Sequence, residues 1–289
     1  MTTPRPDAQL LGAAAVRERA QQLGIHPTKR WGQNFVVDAN TVRRIVRVSD
    51  VRADTVVVEV GPGLGSLTLG LLEVGAKVMA VEIDPTLATG LPETVDRYLP
   101  GTRDRLSVIN EDALHLTQLP LPPDALVANL PYNVAVPVLL HFLAQFPSLV
   151  SGLVMVQLEV AERLAAPPGS RTYGVPSVKA AWYADVTQQG RVPRGVFWPV
   201  PNVDSGLVQF RRRPQPITTA TRQEVFACVD AAFAQRRKSL RSALARWAGS
   251  PEAAEKALRS AGVDPTLRGE RLDVEAFAAI AEHRPAAAT

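Results

Sequence analysis

"TVVVEVGPGLGSLTLGLLEVGA", residues 55–76, sets the pattern that organises the chain. Val56-Val57-Val58 is a β-branched run of the kind that fills a strand buried on both faces. Gly61-Pro62-Gly63-Leu64-Gly65 follows as a turn, and the spacing predicts a helix over 65–74. The same alternation recurs downstream. "KVMAVEID" (77–84), "RLSVIN" (105–110), "ALVAN" (125–129) and "GLVMVQ" (152–157) read as strands, with helices over 86–98 and 135–146. Strands alternating with helices imply a parallel sheet covered on both faces, a doubly wound, Rossmann-like α/β fold.

After residue 157 the rhythm changes. "LEVAERLAA" reads as helix, "PPGSRTYG" (167–174) as loop, and "SVKAAWYADVTQQGRV" (177–192) as a helix running into a strand. "FWPVPNVDSG" is a proline-punctuated loop and "LVQFRRR" (207–213) a closing strand. "PQPITTAT" (214–221) reads as a linker. Beyond it the pattern is helical, with Leu240, Leu244 and Trp247 at helical spacing. The expected organisation is an N-terminal arm or helix over 1–28, the α/β domain over 29–213 and a small C-terminal all-helical domain over 214–289. The tail "RPAAAT" is expected to be disordered.

With 289 residues and 46% apolar side chains, the chain can bury a sizeable core, which excludes a disordered protein. One cysteine, Cys228, cannot form an internal disulfide, and four scattered histidines offer no metal-ligand spacing. These features fit a reducing, cytoplasmic setting. No uninterrupted apolar run reaches the length of a membrane span, so no membrane association is expected. The apolar patch Leu10–Val16 is flanked by Asp7 and by Arg17-Glu18-Arg19, and reads as an amphipathic helix rather than a signal peptide. Net charge is only +4, with a pI near 9.5, but it is unevenly spread. "FAQRRKSLRSALAR" (233–246) carries five Arg/Lys and no acid, and Lys29-Arg30 and Arg211-Arg212-Arg213 add two clusters. Such patches suit a polyanion, though they also fit a solvated helix face.

The glycine turn and the acids after it narrow the ligand. Glycines permit positive φ and close approach of a ligand to the backbone. Glu82 ends the second strand about 20 residues after the first glycine, where a carboxylate can accept both hydroxyls of a ribose. Gly61 and Gly63 are spaced G-x-G-x-G, not the G-x-G-x-x-G of dinucleotide sites. Glu59, just before the turn, would repel a pyrophosphate but help to hold a cation. Asp112, past the third strand, is placed to accept from an adenine amino group. Three acids around one pocket favour S-adenosyl-L-methionine, a sulfonium without phosphate, over NAD.

"NLPYN" (129–133) stands where the fourth strand ends, at the carboxyl edge where open α/β sheets bind ligands. An adenine N6 is a poor nucleophile because its lone pair delocalises into the ring. Two acceptors on its hydrogens would favour a more tetrahedral nitrogen and stabilise its developing positive charge. The Asn129 side-chain oxygen and the Leu130 carbonyl can be those acceptors. Pro131 stiffens the turn, and Tyr132 offers a flat face for the base to stack on. Catalysis is then positioning and electrostatics.

With these residues in place the chain resembles the rRNA adenine N6,N6-dimethyltransferases, and within them the small-subunit type. The resemblance runs from about Lys29 to Leu272. Besides the segments above it includes "RWGQNFVVD" (30–38), "EDAL" (111–114), "MVQLEVAERL" (155–164), "VFWPVPNVDSGLV" (196–208) and "FAQRRKSLRSAL" (233–244). It implies a methyltransferase sheet with a reversed final strand and a helical C-terminal domain. It also implies that Gln33, Asn34 and Val36 close over the cofactor, that Gly61 approaches it, and that Asn129 lies where cofactor and target base meet. Phe197 would stack on the base opposite Tyr132. Arg236, Arg237 and Lys238 are either phosphate contacts or domain-interface groups. The substrate implied is 16S rRNA in the small ribosomal subunit or its precursor, dimethylated on two adjacent adenosines near its 3′ end by a monomeric enzyme. Asn202 stands where the family commonly has a basic residue, and Gly174-Val175-Pro176-Ser177 departs from its Gly-Arg-Leu-Ser; both bear on RNA contacts rather than on the reaction. The competing readings are a large-subunit, macrolide-resistance-type methyltransferase and a non-catalytic ribosome-assembly or transcription factor on the same fold.

Overall fold

A computed structural model describes residues 9–26 and 34–285. In chain order its elements are α1 (Ala13–Gln22), β1 (Phe35–Val36), α2 (Ala39–Val48), β2 (Val56–Val60), α3 (Ser66–Glu73), β3 (Lys77–Glu82) and α4 (Pro85–Tyr98). Then come β4 (Leu106–Asn110), β5 (Ala125–Asn129), α5 (Ala135–Gln145), β6 (Ser151–Gln157), α6 (Leu158–Leu164), α7 (Val175–Ala181), β7 (Ala184–Val192), β8 (Phe197–Trp198) and β9 (Ser205–Arg212). The chain closes with α8 (Arg222–Ala234), α9 (Leu240–Ala243), α10 (Ala245–Ala248), α11 (Pro251–Ser260) and α12 (Val274–Glu282).

Among the described residues the main sheet has seven strands in the order β4-β3-β2-β5-β6-β9-β7. The pairs from β4 across to β6 are parallel, and β9 runs antiparallel to β6, the reversed final strand the resemblance implied. The valine run of β2 is there because both faces are covered: Val57 and Val58 are fully buried. α3 is apolar around most of its circumference, and Ser66 through Leu72 are all buried. Asp84 caps α4 by accepting from the Thr86 and Leu87 amides, with Pro85 in the first turn; a cap of this kind contributes about 1 kcal/mol.

Strand order and register together make the site. The chain leaves β2 for β3 and β4 on one flank and returns to β5 on the other, so the switch point lies between β2 and β5. Val60 pairs with Val81, Val58 with Leu126 and Glu82 with Asn110. Gly61, Glu82 and Asn129 therefore leave the sheet at one level, side by side.

Three features differ from expectation. A second, two-stranded sheet joins β1 to β8, pairing Phe35 with Trp198 and Val36 with Phe197. The basic stretch after α8 is not a continuous helix: residues 235–239 are non-helical, with a turn over 235–237, and helix resumes only at Leu240. By their internal contacts the residues form two units, Met1–Ala161 with Thr187–Arg212, and Glu162–Val186 with Arg213–Thr289. One division falls at Arg212/Arg213, and residues 162–186 group with the helical unit instead of the α/β one. The reason is aromatic. Within that unit Tyr173 packs edge-on to Phe233, and Trp182 and Tyr183 pack edge-on to Phe226. The Tyr173 hydroxyl also donates to the Leu272 carbonyl at 2.8 Å.

At the other end of the chain, α1 is helical as the apolar patch predicted, but starts three residues later, at Ala13. It is held to α4 by Arg19, whose buried guanidinium donates to Thr94 Oγ1 and the Gly90 carbonyl and pairs with Glu93. Among the described residues, no helix is long and apolar enough to cross a membrane.

Candidate methyl-transfer cleft

A cleft of ≈ 280 Å³ opens at the switch point. That is near the lower end of ligand pockets, roughly 300 Å³. It is lined by Asn34, Val36, Gly61, Gly63, Glu82, Asp112, Asn129, Leu130, Pro131 and Tyr132, so ten of the predicted site residues converge on one space.

Gly61, Gly63 and Gly65 all have positive φ, at 69°, 56° and 94°. The turn needs them for that reason, and Gly63 for another: a Cβ there would stand 2.8 Å from the Phe35 ring. Gly61 faces Pro131 and the Asn129 carbonyl, with room for only ordinary contact. The turn folds back on the acid of the next strand. The Gly63 amide donates to Glu82 Oε2 at 3.1 Å, and the Asp84 amide to Glu82 Oε1 at 3.0 Å. A carboxylate offers about four acceptor sites, so these bonds leave capacity to accept from a ligand. Burial raises the Glu82 carboxyl above its ordinary range, and the backbone amides of Asp84, Gly63 and Ile83 pull it back. Asp112 is more open; it accepts from the Leu114 amide at 2.9 Å and lies 3.2 Å from His115 Nδ1.

Glu59 does not play the part expected of it. It is 1% exposed, accepts from the Thr68 hydroxyl at 2.7 Å, and is pushed by burial up to about 8. At neutral pH it is mostly protonated, so it adds little negative charge to the cleft.

Asn129 ends β5. Its Nδ2 donates to the Asn34 carbonyl at 2.9 Å, which turns the nitrogen toward Asn34 and leaves Oδ1 as an acceptor. The Leu130 amide donates to the Met155 carbonyl at 3.1 Å, and the Val134 amide to the Pro131 carbonyl at 3.2 Å, closing a turn around Pro131 and Tyr132. The Tyr132 ring is half-buried, and its hydroxyl lies 2.8 Å from Ser205 Oγ. Desolvation raises that hydroxyl further from ionisation. Val36, on β1, roofs the α3 side, and its carbonyl accepts from the Ser66 hydroxyl at 2.7 Å.

Phe197 lies away from the cleft lining. It is 2% exposed, belongs to the core cluster with Phe35 and Val36, and does not line the cleft. β8 pairs with β1, setting Phe197 opposite Val36, and the neighbouring Phe35 and Trp198 rings stack with centroids 6.3 Å apart. Aromatic type alone does not distinguish a stacking ring from a packed one.

The basic residues divide in the same way. Arg236 pairs with Glu270 at 3.0 Å and donates to the Arg171 carbonyl, an internal tie of the helical unit. Arg237 and Lys238 are exposed, with no side-chain partner among the described residues. The Arg211-Arg212-Arg213 cluster is committed internally: Arg211 to Asp50, Arg212 to carbonyls including that of Leu149, Arg213 to Glu275. Lys29, Arg30 and Gln33 lie outside the described residues. Ser205 carried no signal of its own in the sequence, since only the fold brings it to Tyr132, 73 residues away.

Comparison with known proteins gives the family. The chain is 69% identical over 283 residues to the ribosomal RNA small subunit methyltransferase A of Kineococcus radiotolerans, covering 97% of this chain and 94% of that one. It is 65% identical over 286 residues to the protein of that name from Streptomyces coelicolor, covering 98% and 100%. Among solved structures, the 23S rRNA methyltransferase ErmE superposes with a TM-score of 0.63 at 28% identity, over 87% of this chain and 99% of that one. A dimethyladenosine transferase from Plasmodium falciparum has the same fold, with a TM-score of 0.71 at 21% identity over 85% and 95%. The profile of the family described as ribosomal RNA adenine dimethylase matches residues 26–284, and the chain belongs to that family.

Proposed function

We propose that this cleft dimethylates N6 of adenosines in the RNA of the small ribosomal subunit, with S-adenosyl-L-methionine as donor. The observation that carries the reading is the convergence of Gly61, Glu82, Asp112 and Asn129-Leu130-Pro131-Tyr132 on one space at the switch point. The residues fit the donor: the turn has no side chain at Gly61 to obstruct it, and the free lone pairs of Glu82 suit a ribose diol. When bound, S-adenosyl-L-methionine supplies a methyl group on a sulfonium, ready for in-line displacement.

The chain's residues do the rest. Glu82 holds the ribose hydroxyls and Asp112 the cofactor's adenine amino group. Asn34 and Val36 roof the cofactor. Asn129 Oδ1 and the Leu130 carbonyl accept from the two hydrogens of the target N6 and stabilise its developing charge. Pro131 fixes the direction of the carbonyl, and Tyr132 stacks on the base. After one transfer the nitrogen has become acidic and loses a proton to water, so no strong base is needed. The pocket must then tolerate a methyl on N6 for the second transfer. Arg237 and Lys238 are the phosphate contacts of the helical unit. The substrate is 16S rRNA in the small subunit or its precursor, at two adjacent adenosines near the 3′ end, and the enzyme acts as a cytoplasmic monomer in subunit biogenesis.

Identities of 69% and 65% to small-subunit enzymes, against 28% to a 23S enzyme, favour the small subunit over the large. The test is tritiated methyl transfer to isolated, unmodified small and large subunits, followed by mapping of the labelled bases. Label confined to the small subunit supports the reading, and label in the large subunit overturns it.

A further inference from the structure

Ser205 is fully buried, on a strand that contributes nothing to the lining of the cleft, and yet its hydroxyl meets the hydroxyl of half-buried Tyr132 at 2.8 Å. The backbone beneath it is fixed from several sides. Ser205 pairs with Gln157 at the carboxyl end of β6. The preceding residue, Asp204, has its carbonyl bonded by the Leu158 amide at 3.0 Å. The Asp204 carboxylate accepts from the Arg194 amide at 2.8 Å and pairs with Arg191. The Tyr132 side lacks such fixation: its backbone is a four-residue turn, closed by the Val134 amide on the Pro131 carbonyl.

We propose that Ser205 is a positioning residue for base capture, a rigid point in the reversed strand that fixes the plane of the Tyr132 ring through its hydroxyl. A tyrosine on a short turn has staggered χ1 wells open to it. Only a ring in the right well presents its face to an extruded base beside Asn129. The hydroxyl bond selects that well before RNA arrives, so less ordering remains to be done on binding. Either hydroxyl can be the donor, since both groups can give and accept. The burial that keeps the Tyr132 hydroxyl protonated also keeps it able to bond at neutral pH. The idea rests on the reading of Tyr132 as the stacking face and goes beyond it by naming what aims that face.

The test is a double-mutant cycle of Ser205→Ala and Tyr132→Phe, with methyl transfer to unmodified small subunits, calorimetric affinity for S-adenosyl-L-methionine and melting temperature read for all four proteins. Each single variant is expected to lose about tenfold in kcat/KM for RNA, the lower part of the range for one base–aromatic stack. Cofactor affinity should stay within about twofold. The double variant should be no slower than the slower single one, because both remove the same bond. Losses that multiply, or a Ser205→Ala enzyme as fast as wild type, overturn the proposal. A drop in melting temperature and cofactor affinity alongside rate also overturns it, by making Ser205 merely structural. If Tyr132→Ala is fully active, it is the reading of Tyr132 that fails; if Tyr132→Ala is impaired and Ser205→Ala is not, only the inference about Ser205 fails.

Discussion

Asn129 Nδ2 donates to the backbone carbonyl of Asn34 at 2.9 Å, linking the end of β5 to the segment just before β1. The bond fixes which end of the amide faces the cleft. Oδ1 stays available as an acceptor, as charge stabilisation at an adenine N6 requires. Asn129→Ala removes that acceptor and should lower kcat by about 10²–10³-fold, the usual cost of one transition-state hydrogen bond, with RNA affinity nearly unchanged. Asn129→Asp keeps an acceptor but sets a carboxylate oxygen against the Asn34 carbonyl. It should therefore also weaken cofactor binding, which single-turnover kinetics and calorimetry separate.

Glu82 accepts from the Gly63 amide on one oxygen and from the Asp84 amide on the other. Glu82→Gln keeps the shape but turns one acceptor into a donor, facing either the Gly63 or the Asp84 amide. Affinity for S-adenosyl-L-methionine should fall about tenfold or more by calorimetry, consistent with about 1–3 kcal/mol for leaving a buried donor unpaired. Unchanged affinity would remove Glu82 from the ribose site.

Glu59 makes stability depend on pH. Its carboxyl is raised from 4.5 to about 8 in the folded protein. Between those values the folded protein holds a proton that the unfolded chain has released, so stability must fall as pH rises from about 4.5 to about 8 and level off beyond. The fall attributable to this one group is on the order of a few kcal/mol. Glu59→Gln should flatten that part of the melting-temperature profile and be more stable than wild type at pH 8.

The basic turn after α8 should separate by function. Arg237→Ala and Lys238→Ala should each weaken RNA binding across sequences and reduce the salt slope by about one. Arg236→Ala should instead lower the melting temperature by roughly 1–3 °C, because its partners Glu270 and the Arg171 carbonyl are internal and the pair is partly solvent-screened. Filter binding at several salt concentrations and calorimetric melting distinguish the two.

The sheet was legible because its strands are buried on both faces, which leaves unbroken valine and leucine runs such as Val56–Val58 and Ala125–Ala128. The turn and Glu82 could be placed because positive φ and a strand-end acid each demand particular residue types. What escaped was set by long-range pairing. Strands of two residues, Phe35–Val36 and Phe197–Trp198, are too short to carry a period, and their pairing is what buries Phe197. Glu59 looked like a cleft charge because its burial and its bond to Thr68 depend on α3 packing over β2. Residues 162–186 looked like part of the first domain because the aromatic partners that claim them, Phe226 and Phe233, lie far on in the chain.

The central claim is that donor and target adenine meet at the switch point between β2 and β5. Transfer of tritium from labelled S-adenosyl-L-methionine to unmodified small subunits, by wild type and by Asn129→Ala, tests it most directly. The account predicts N6,N6-dimethyladenosine in 16S rRNA with wild type and nearly none with the variant. Equal incorporation by the two proteins, or label on any atom other than an adenine N6, would contradict it.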